Sequence, residues 1–276
     1  MRIGLKTNQQ HLDWPELLAR VRFAEEAGFD GAWIFDHFRP PGGDPAGPCM
    51  EAWTLLAALA ASTGRIRLGA LATGVLWRHP SVLAAQAVTV DQVSSGRLEL
   101  AMGAAWFEQS HRELGIEFPG ARERIERLDE AVQVMRLLMT EDGVTFHGEH
   151  YRLEEATYHP RPIQRPHPPI WIAASGDRYM IPLAARQADV WHCFAEFEEL
   201  PGKARAFGEE AEKAGRDPST ILKASDLTIS EPWDEVARRA EALHELGFGY
   251  LVVPWPPEGR PRVEEFVQKV LPGIPE

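Results

Sequence analysis

Cysteine is scarce in this 276-residue chain: Cys49 and Cys193 are the only two, and neither stands in a CxxC or other metal-ligand spacing. A disulfide framework is therefore excluded, and a reduced, cytoplasmic protein is expected. Long apolar runs are missing too. None reaches the roughly 18 to 20 residues that span a bilayer, and the opening MRIGLKTNQQ lacks a basic segment followed by an apolar core. Neither membrane insertion nor secretion is expected. Basic charge is in deficit, with 29 Lys and Arg against 41 Asp and Glu and a formal net charge of -12. That balance opposes nucleic-acid binding, and an anionic ligand would need a locally basic pocket. The ten histidines show no HExxH or paired zinc spacing, so no metal site is expected. A GxSxG elbow, a GxxxxGK[ST] phosphate loop and a GxGxxG fingerprint are all lacking.

What is present is an alternation of strand-like and helix-like patterns. Residues 2–6 read as a strand, and 14–27 as a helix carrying Leu17, Leu18, Val21, Phe23 and Ala24, stopped by Gly28. Strands follow at 31–35, 66–75, 98–102, 170–174, 188–193, 221–228 and 250–253. The helices between and after them are 51–62, 80–93 with Pro80 in its first turn, 121–139, 178–186, 200–214, 233–246 and 262–271. The 121–139 helix has an apolar stripe of Ile125, Leu128, Val132, Met135 and Leu138, and 144–153 reads as a hairpin. With 44% hydrophobic residues and no fixed-period repeat or linker, the chain reads as one α/β domain spanning 1–276. Eight strand-then-helix steps predict a single (β/α)8 TIM barrel with an insertion hairpin and lid loops at 39–49 and 154–169.

The segment 65–106 is the most telling. Two apolar strands flank an amphipathic helix, and Gly69, Ala70, Ala72, Gly74, Gly103, Ala104 and Ala105 remove side-chain bulk at the strand ends. A flat ligand could lie directly against such a backbone. Asp36 and His37 follow the strand GAWIF, which puts a carboxylate and an imidazole on the rim where barrels build their sites. The alternative is that Asp36 caps backbone donors and His37 packs under the proline-rich loop. Thr73, Gly74, Arg78 and His79 offer donors to a polar ligand, unless Arg78 pairs with a carboxylate and His79 merely precedes Pro80. The run Ala173-Ala174-Ser175-Gly176-Asp177 leads into a helix, where free N–H groups of Ser175, Gly176 and Asp177 could hold phosphate, or where Asp177 is the cap. Trp77, Trp106, Trp191 and Trp255 lie near strand ends, either as walls for a heteroaromatic ring or as packing.

The motifs GFDGAWIFDHF, TGRIRLGALATGVLWRHPSVLAAQAVTVDQVSSGRLELAMGAAWFE, RERIERLDEAVQVMRLL, PRPIQRPHPPIWIAASG and AARQADVWH, in that order, resemble the luciferase-like monooxygenase superfamily, in its branch of coenzyme F420-dependent oxidoreductases. The likeness covers about 1–193. It implies a (β/α)8 barrel holding F420, or alternatively FMN, across the C-terminal ends of its strands, a small-molecule substrate and a homodimer. By the same resemblance Asp36 and His37 border the cofactor ring, and Leu71 and Ala72 form a bulge behind it, often with a non-prolyl cis peptide. Thr73 and His79 would meet the polar ring edge or side chain, Ala105 and Trp106 would line the site, and Ala174, Ser175 and Gly176 would approach the phosphate. His37 would pass a proton while Asp36 orients it, during hydride transfer at the deazaflavin C5. An FMN-dependent monooxygenase is the second reading, and a non-catalytic flavin- or deazaflavin-binding protein the third. The sequence departs from the family in having Ala104-Ala105 where a glycine is common, Ser110 where an acid is frequent, and Ala173-Ala174-Ser175 where glycines are usual.

Overall fold

A computed structural model describes residues 1–275. In chain order the elements are β1 Arg2–Lys6, α1 Trp14–Glu26, β2 Gly31–Ile34, α2 Ala52–Ser62, β3 Arg67–Ala70, β4 Thr73–Gly74, α3 Pro80–Val93 and β5 Leu98–Gly103. They continue with α4 Glu108–Glu113, α5 Ala121–Thr140, β6 Val144–His147, β7 Arg152–Ala156, β8 Ile170–Ala173, α6 Met180–Gln187 and β9 Val190–Cys193. The remainder is α7 Leu200–Lys213, β10 Leu222–Asp226, α8 Trp233–Glu245, β11 Phe248–Pro254 and α9 Arg260–Lys269. Strand alternates with helix in the order expected of a (β/α)8 barrel. No helix among the described residues is long and apolar enough to cross a membrane.

The chain divides into two compact units, one of residues 1–8, 14–34 and 171 onward, the other of 9–13 and 35–170. In the first unit, α1 buries Leu17, Val21 and Ala24, spaced to share one helix face. It stops as expected at Gly28, whose φ of 93° lets the chain reverse and the Phe29 N–H donate to the Ala24 carbonyl at 3.0 Å. β1 lies between β2 and β11, all parallel, with Gly4 opposite both Gly31 and Val252. β10 pairs in parallel with β9 and β11.

Three fully buried aromatics fill this unit's strands. Trp33 and Trp171 meet edge to face at 4.6 Å, Trp171 and Tyr250 at 4.9 Å, and the Trp33 Nε1–H donates to the Tyr250 hydroxyl at 3.1 Å. The adjacent glycines make the room. A Cβ on Gly4 would lie 2.5 Å from Trp33 Nε1 and 2.6 Å from the Tyr250 hydroxyl.

In the second unit the strand predicted at 66–75 is broken. β3 pairs with β5 through Gly69↔Glu99, and β4 resumes through Thr73↔Met102. The first strand takes one step more than its partner between those pairs, which is a bulge, and its Leu71-Ala72 peptide is cis. α3 starts at Pro80 as the proline suggested, capped by the His79 ring, whose Nδ1 accepts the Ser81 N–H at 3.2 Å. α5 buries Leu128, Val132, Met135 and Leu138, while Ile125 of the expected stripe is only half-buried. The hairpin β6–β7 is antiparallel with His147 opposite Arg152, so residues 154–156, expected in a loop, belong to a strand. The loop after it is held by Asp91. This fully buried carboxylate accepts the Ile163 and Gln164 N–H groups at 2.7 and 3.0 Å and the Gln164 side-chain amide at 2.8 Å.

Gly4→Ala is expected to destabilise the fold by about 1–3 kcal/mol, because the new methyl must displace the Trp33–Tyr250 pair from a close-packed interior. Urea unfolding followed by tryptophan fluorescence measures it. An unchanged midpoint would show that the aromatic cluster yields freely.

Candidate active site

Asp36 lies just past β2 and is 2% exposed. Its carboxylate is gripped by Arg78, whose Nη1–H and Nη2–H donate to Oδ2 and Oδ1 at 2.6 and 3.0 Å. Arg78 Nη2 also pairs with Glu51, and the Gly74 N–H reaches Asp36 Oδ2 at 3.3 Å. Glu51 caps α2, accepting the Trp53 and Thr54 N–H groups at 3.0 and 2.7 Å. The geometry follows from the bulge. Once β4 resumes, the next turn carries Trp77 and Arg78 back over Asp36, and Trp77 Nε1–H donates to the Asp36 carbonyl at 3.0 Å. Gly74 has to be glycine here, since a Cβ would stand 2.8 Å from the Trp77 indole.

Burial pushes the Asp36 pKa up, opposed by the Arg78 hydrogen bonds. Burial also works against the Arg78 charge, but Asp36 and Glu51 hold its pKa above the ordinary value. For Glu51 burial is outweighed by the helix N–H groups and the guanidinium, and its pKa falls. Arg78, expected to offer a free guanidinium or to pair at the surface, is committed to two carboxylates in a largely dry site.

His37 is half-buried among aromatic edges, with ring centroids 5.0 Å from Phe35, 5.6 Å from Trp106 and 5.8 Å from Phe107. Its Nδ1 is buried with no hydrogen-bond partner among the described residues. Asp36, expected to orient or polarise the imidazole, makes no hydrogen bond to Nδ1, because its carboxylate is turned to Arg78. Burial lowers the His37 pKa to about 4, with His111 adding to the shift. The ring is neutral at pH 7 rather than poised near 6.5. His111, from the short helix α4, stacks on Trp77 at 3.7 Å and places Nδ1 3.0 Å from the Phe107 carbonyl oxygen.

Beside this cluster the bulge presents main chain. Leu71 is buried, while Ala72, Gly103, Ala104 and Ala105 are half-exposed and carry at most a methyl group. The Thr73 hydroxyl is buried and unpartnered among the described residues. Ala105 has a φ of 58°, in the left-handed region where glycine is relaxed. Trp106 stands 66% exposed next to His37. Bare backbone, an orphaned hydroxyl and an exposed indole suit a flat, partly polar heterocycle. His79 is exposed and caps α3, with its ring edge-on to Tyr151 at 5.3 Å.

In the other unit, α6 starts at Met180, two residues later than predicted, and Asp177 is not its cap. Both Asp177 oxygens lie 3.0 Å from Lys203 Nζ, so lysine rather than Arg178 offsets that charge. The Ala174 N–H already donates to the His192 carbonyl at 2.9 Å and offers nothing to a phosphate. Ser175 is half-buried and Gly176 exposed, in the turn that precedes α6. Trp191 is no pocket wall. It is fully buried, stacked on Phe207 at 4.2 Å, with Nε1–H donating to the Ala174 carbonyl at 2.7 Å. Trp255 covers the Arg20 guanidinium at 4.3 Å.

Sequence reasoning missed Glu51, Phe107 and His111. An acid directly before the Ala/Leu-rich helix was a usable signal for Glu51. The six polar-rich residues of α4, EQSHRE, carry no apolar period that would have revealed His111.

The profile of the family described as luciferase-like monooxygenase matches residues 1–245. The chain is 31% identical over 272 residues to an F420-dependent hydroxymycolic acid dehydrogenase of Mycobacterium tuberculosis, covering 98% of this chain and 74% of that one. It is 35% identical over 257 residues to an F420-dependent glucose-6-phosphate dehydrogenase of Kineococcus radiotolerans, covering 90% and 72%. An FMNH(2)-dependent dimethylsulfone monooxygenase of Pseudomonas putida is 29% identical over 247 residues, covering 86% and 66%. A solved structure described as an F420-dependent secondary alcohol dehydrogenase in complex with an F420-acetone adduct superposes with a TM-score of 0.88 at 22% identity, covering 100% of this chain and 99% of that one. The fold is a closed eight-stranded parallel (β/α)8 barrel with a small antiparallel hairpin.

Arg78→Ala strands a buried carboxylate and is expected to lose about 3–5 kcal/mol of stability, part of it recovered by adding Asp36→Asn. Denaturant titrations of the single and double variants test this, and no recovery would mean the guanidinium acts by packing alone. A second expectation concerns acid. The His37 pKa near 4 when folded lies below the unfolded value of roughly 6.5, so acidification between those limits protonates the unfolded chain first. Stability should be full above that window and fall by up to about 1.4 kcal/mol per pH unit within it. His37→Asn should flatten the loss between pH 7 and pH 5, and an unchanged slope would remove His37 from the account.

Proposed function

Because this chain belongs to the luciferase-like monooxygenase family, an oxidoreductase family, we propose that it is an F420-dependent enzyme moving a hydride between the deazaflavin and a small organic substrate. The observation that carries the reading is the conjunction of the bulged Leu71-Ala72 backbone with a neutral His37 between aromatic edges. The two relatives above that exceed 30% identity are both named as F420-dependent dehydrogenases. When bound, F420 supplies a ring carbon that accepts or donates hydride.

The chain's own residues divide the remaining tasks. Leu71, Ala72, Gly103, Ala104 and Ala105 leave main chain against which a planar ring can rest, and the Thr73 hydroxyl supplies one directional hydrogen bond. Trp106 and Phe107 exclude water from one side of His37. A neutral imidazole is the form that accepts a proton, which the oxidation of an alcohol requires as hydride leaves its carbon. Asp36, bound to Arg78, holds the loop that carries His37. Ser175 and Gly176 are the candidates for main-chain donors to phosphate, with the Ala174 N–H already engaged.

FMN dependence is the second reading, favoured by the dimethylsulfone monooxygenase relative. Fluorescence titration of the purified chain with F420 and with FMN separates the two. Tight F420 binding and its reduction by an alcohol are expected, and binding of FMN alone would overturn the assignment. For His37→Gln the hydride-transfer rate is expected to fall about 10²–10⁴-fold with F420 affinity retained. Unaltered turnover would exclude the proton role.

A further inference from the structure

We propose that His111 is the positioning residue for His37, bracing both the peptide that carries the imidazole and the aromatic wall against which it packs. The inference deepens the proton role given to His37 above and rests on that reading. A proton-transferring imidazole needs something to fix its angle, and the common partner is a carboxylate on its far nitrogen. Here Asp36 is committed to Arg78, and the His37 Nδ1 has no hydrogen-bond partner among the described residues. Packing has to hold the ring instead.

His111 touches both supports of that packing. Its ring lies flat on the Trp77 indole, with centroids 3.7 Å and planes 14° apart. The indole Nε1–H donates at 3.0 Å to the Asp36 carbonyl, which belongs to the peptide bond joining Asp36 to His37. At its other edge the His111 Nδ1 stands 3.0 Å from the Phe107 carbonyl oxygen. A carbonyl only accepts, so Nδ1 is the nitrogen that carries the proton. Phe107 in turn stacks on Trp106 at 5.3 Å, and the two rings stand edge-on to His37 at 5.8 and 5.6 Å. One imidazole thereby ties the backbone of His37 to two of the three rings around it.

The position calls for histidine in particular. The short helix α4 buries only Ser110 and His111 and has no side-chain cap, so His111, 1% exposed, is its chief anchor. Phe118 packs on the same ring at 4.9 Å. Burial lowers the His111 pKa, with the Phe107 hydrogen bond opposing and the Arg124 charge adding to the shift, and the ring is neutral at pH 7. Its Nε2 is then a bare acceptor, buried without a partner among the described residues. A phenylalanine would avoid that desolvated nitrogen but has no donor for Phe107, and an asparagine has the donor but no ring for Trp77. Histidine supplies both.

The test uses the full chain without cofactor, so its outcome stands whether or not F420 is the partner. NMR follows proton exchange of the Trp77 indole N–H and the through-space contacts between His37 and Phe107 ring protons, assigned by their loss in Trp77→Phe and Phe107→Leu. In His111→Ala the Trp77 indole is expected to exchange at least about tenfold faster and the ring contacts to vanish, while the Trp33 indole, bound to Tyr250, keeps its protection. His111→Phe should keep the Trp77 protection and lose the ring contacts, and His111→Asn should do the reverse. On the F420-loaded enzyme, kcat should fall about tenfold in His111→Ala with substrate KM within about twofold of the wild type. A wild-type chain that turns nothing over would sink the F420 reading and leave the NMR result to decide this one. The proposal is overturned by unchanged Trp77 exchange and ring contacts in a folded His111→Ala chain, or by equal loss of protection at Trp33, which would mark His111 as general core. Should His111→Ala not fold, the other two variants decide, and identical behaviour of the pair would overturn the division of roles.

Discussion

Two carboxylates converge on one guanidinium where water hardly reaches, and the candidate site is organised around that constraint. Arg78 cannot leave Asp36 without exposing a charge to a medium that solvates it poorly, nor leave Glu51 without loosening the first turn of α2. Trp77, one residue before Arg78, is thereby held with its indole N–H on the Asp36 carbonyl and its face on His111. The bulge at Leu71-Ala72 feeds directly into this knot through Gly74. Such a network does little for net stability compared with apolar packing, but it leaves the backbone around His37 few alternatives.

That rigidity changes how the histidine is read. An imidazole packed edge-on against Phe35, Trp106 and Phe107 and lacking a carboxylate partner at Nδ1 is a weaker base than a free histidine, and a neutral one. The same burial that depresses its pKa limits how much water reaches the ring. Asp36 and His37 are adjacent in sequence yet differently placed, the first ion-paired to Arg78, the second packed among aromatic edges.

Most of the fold could be read from the chain. Helix boundaries marked by Gly28 and Pro80 fell within a residue or so, because a positive φ and a fixed proline φ are local properties. The strand at 66–75 read as continuous because its residues are uniformly apolar and small, and nothing in an apolar run announces a bulge. α4 was not legible, since six residues are too few to show a period. Asp36, His37, Thr73 and Trp106 were legible as candidates because strand ends and small residues mark a barrel's working rim. Glu51 carried a signal as the acid that opens α2, whereas His111, on a helix too short to show a period, carried none.

Sequence by itself determined the alternation, the helix ends marked by Gly28 and Pro80 and the residue types gathered at the strand ends, since these follow from periodicity and backbone preference. Only tertiary structure decided that Arg78 belongs to Asp36 and Glu51, that Trp191 is core rather than wall, that the Ala174 N–H is already engaged, and that His192 and Asp226 meet. Each of these is a choice among several partners distant along the chain, and the geometry of packing makes that choice where composition does not.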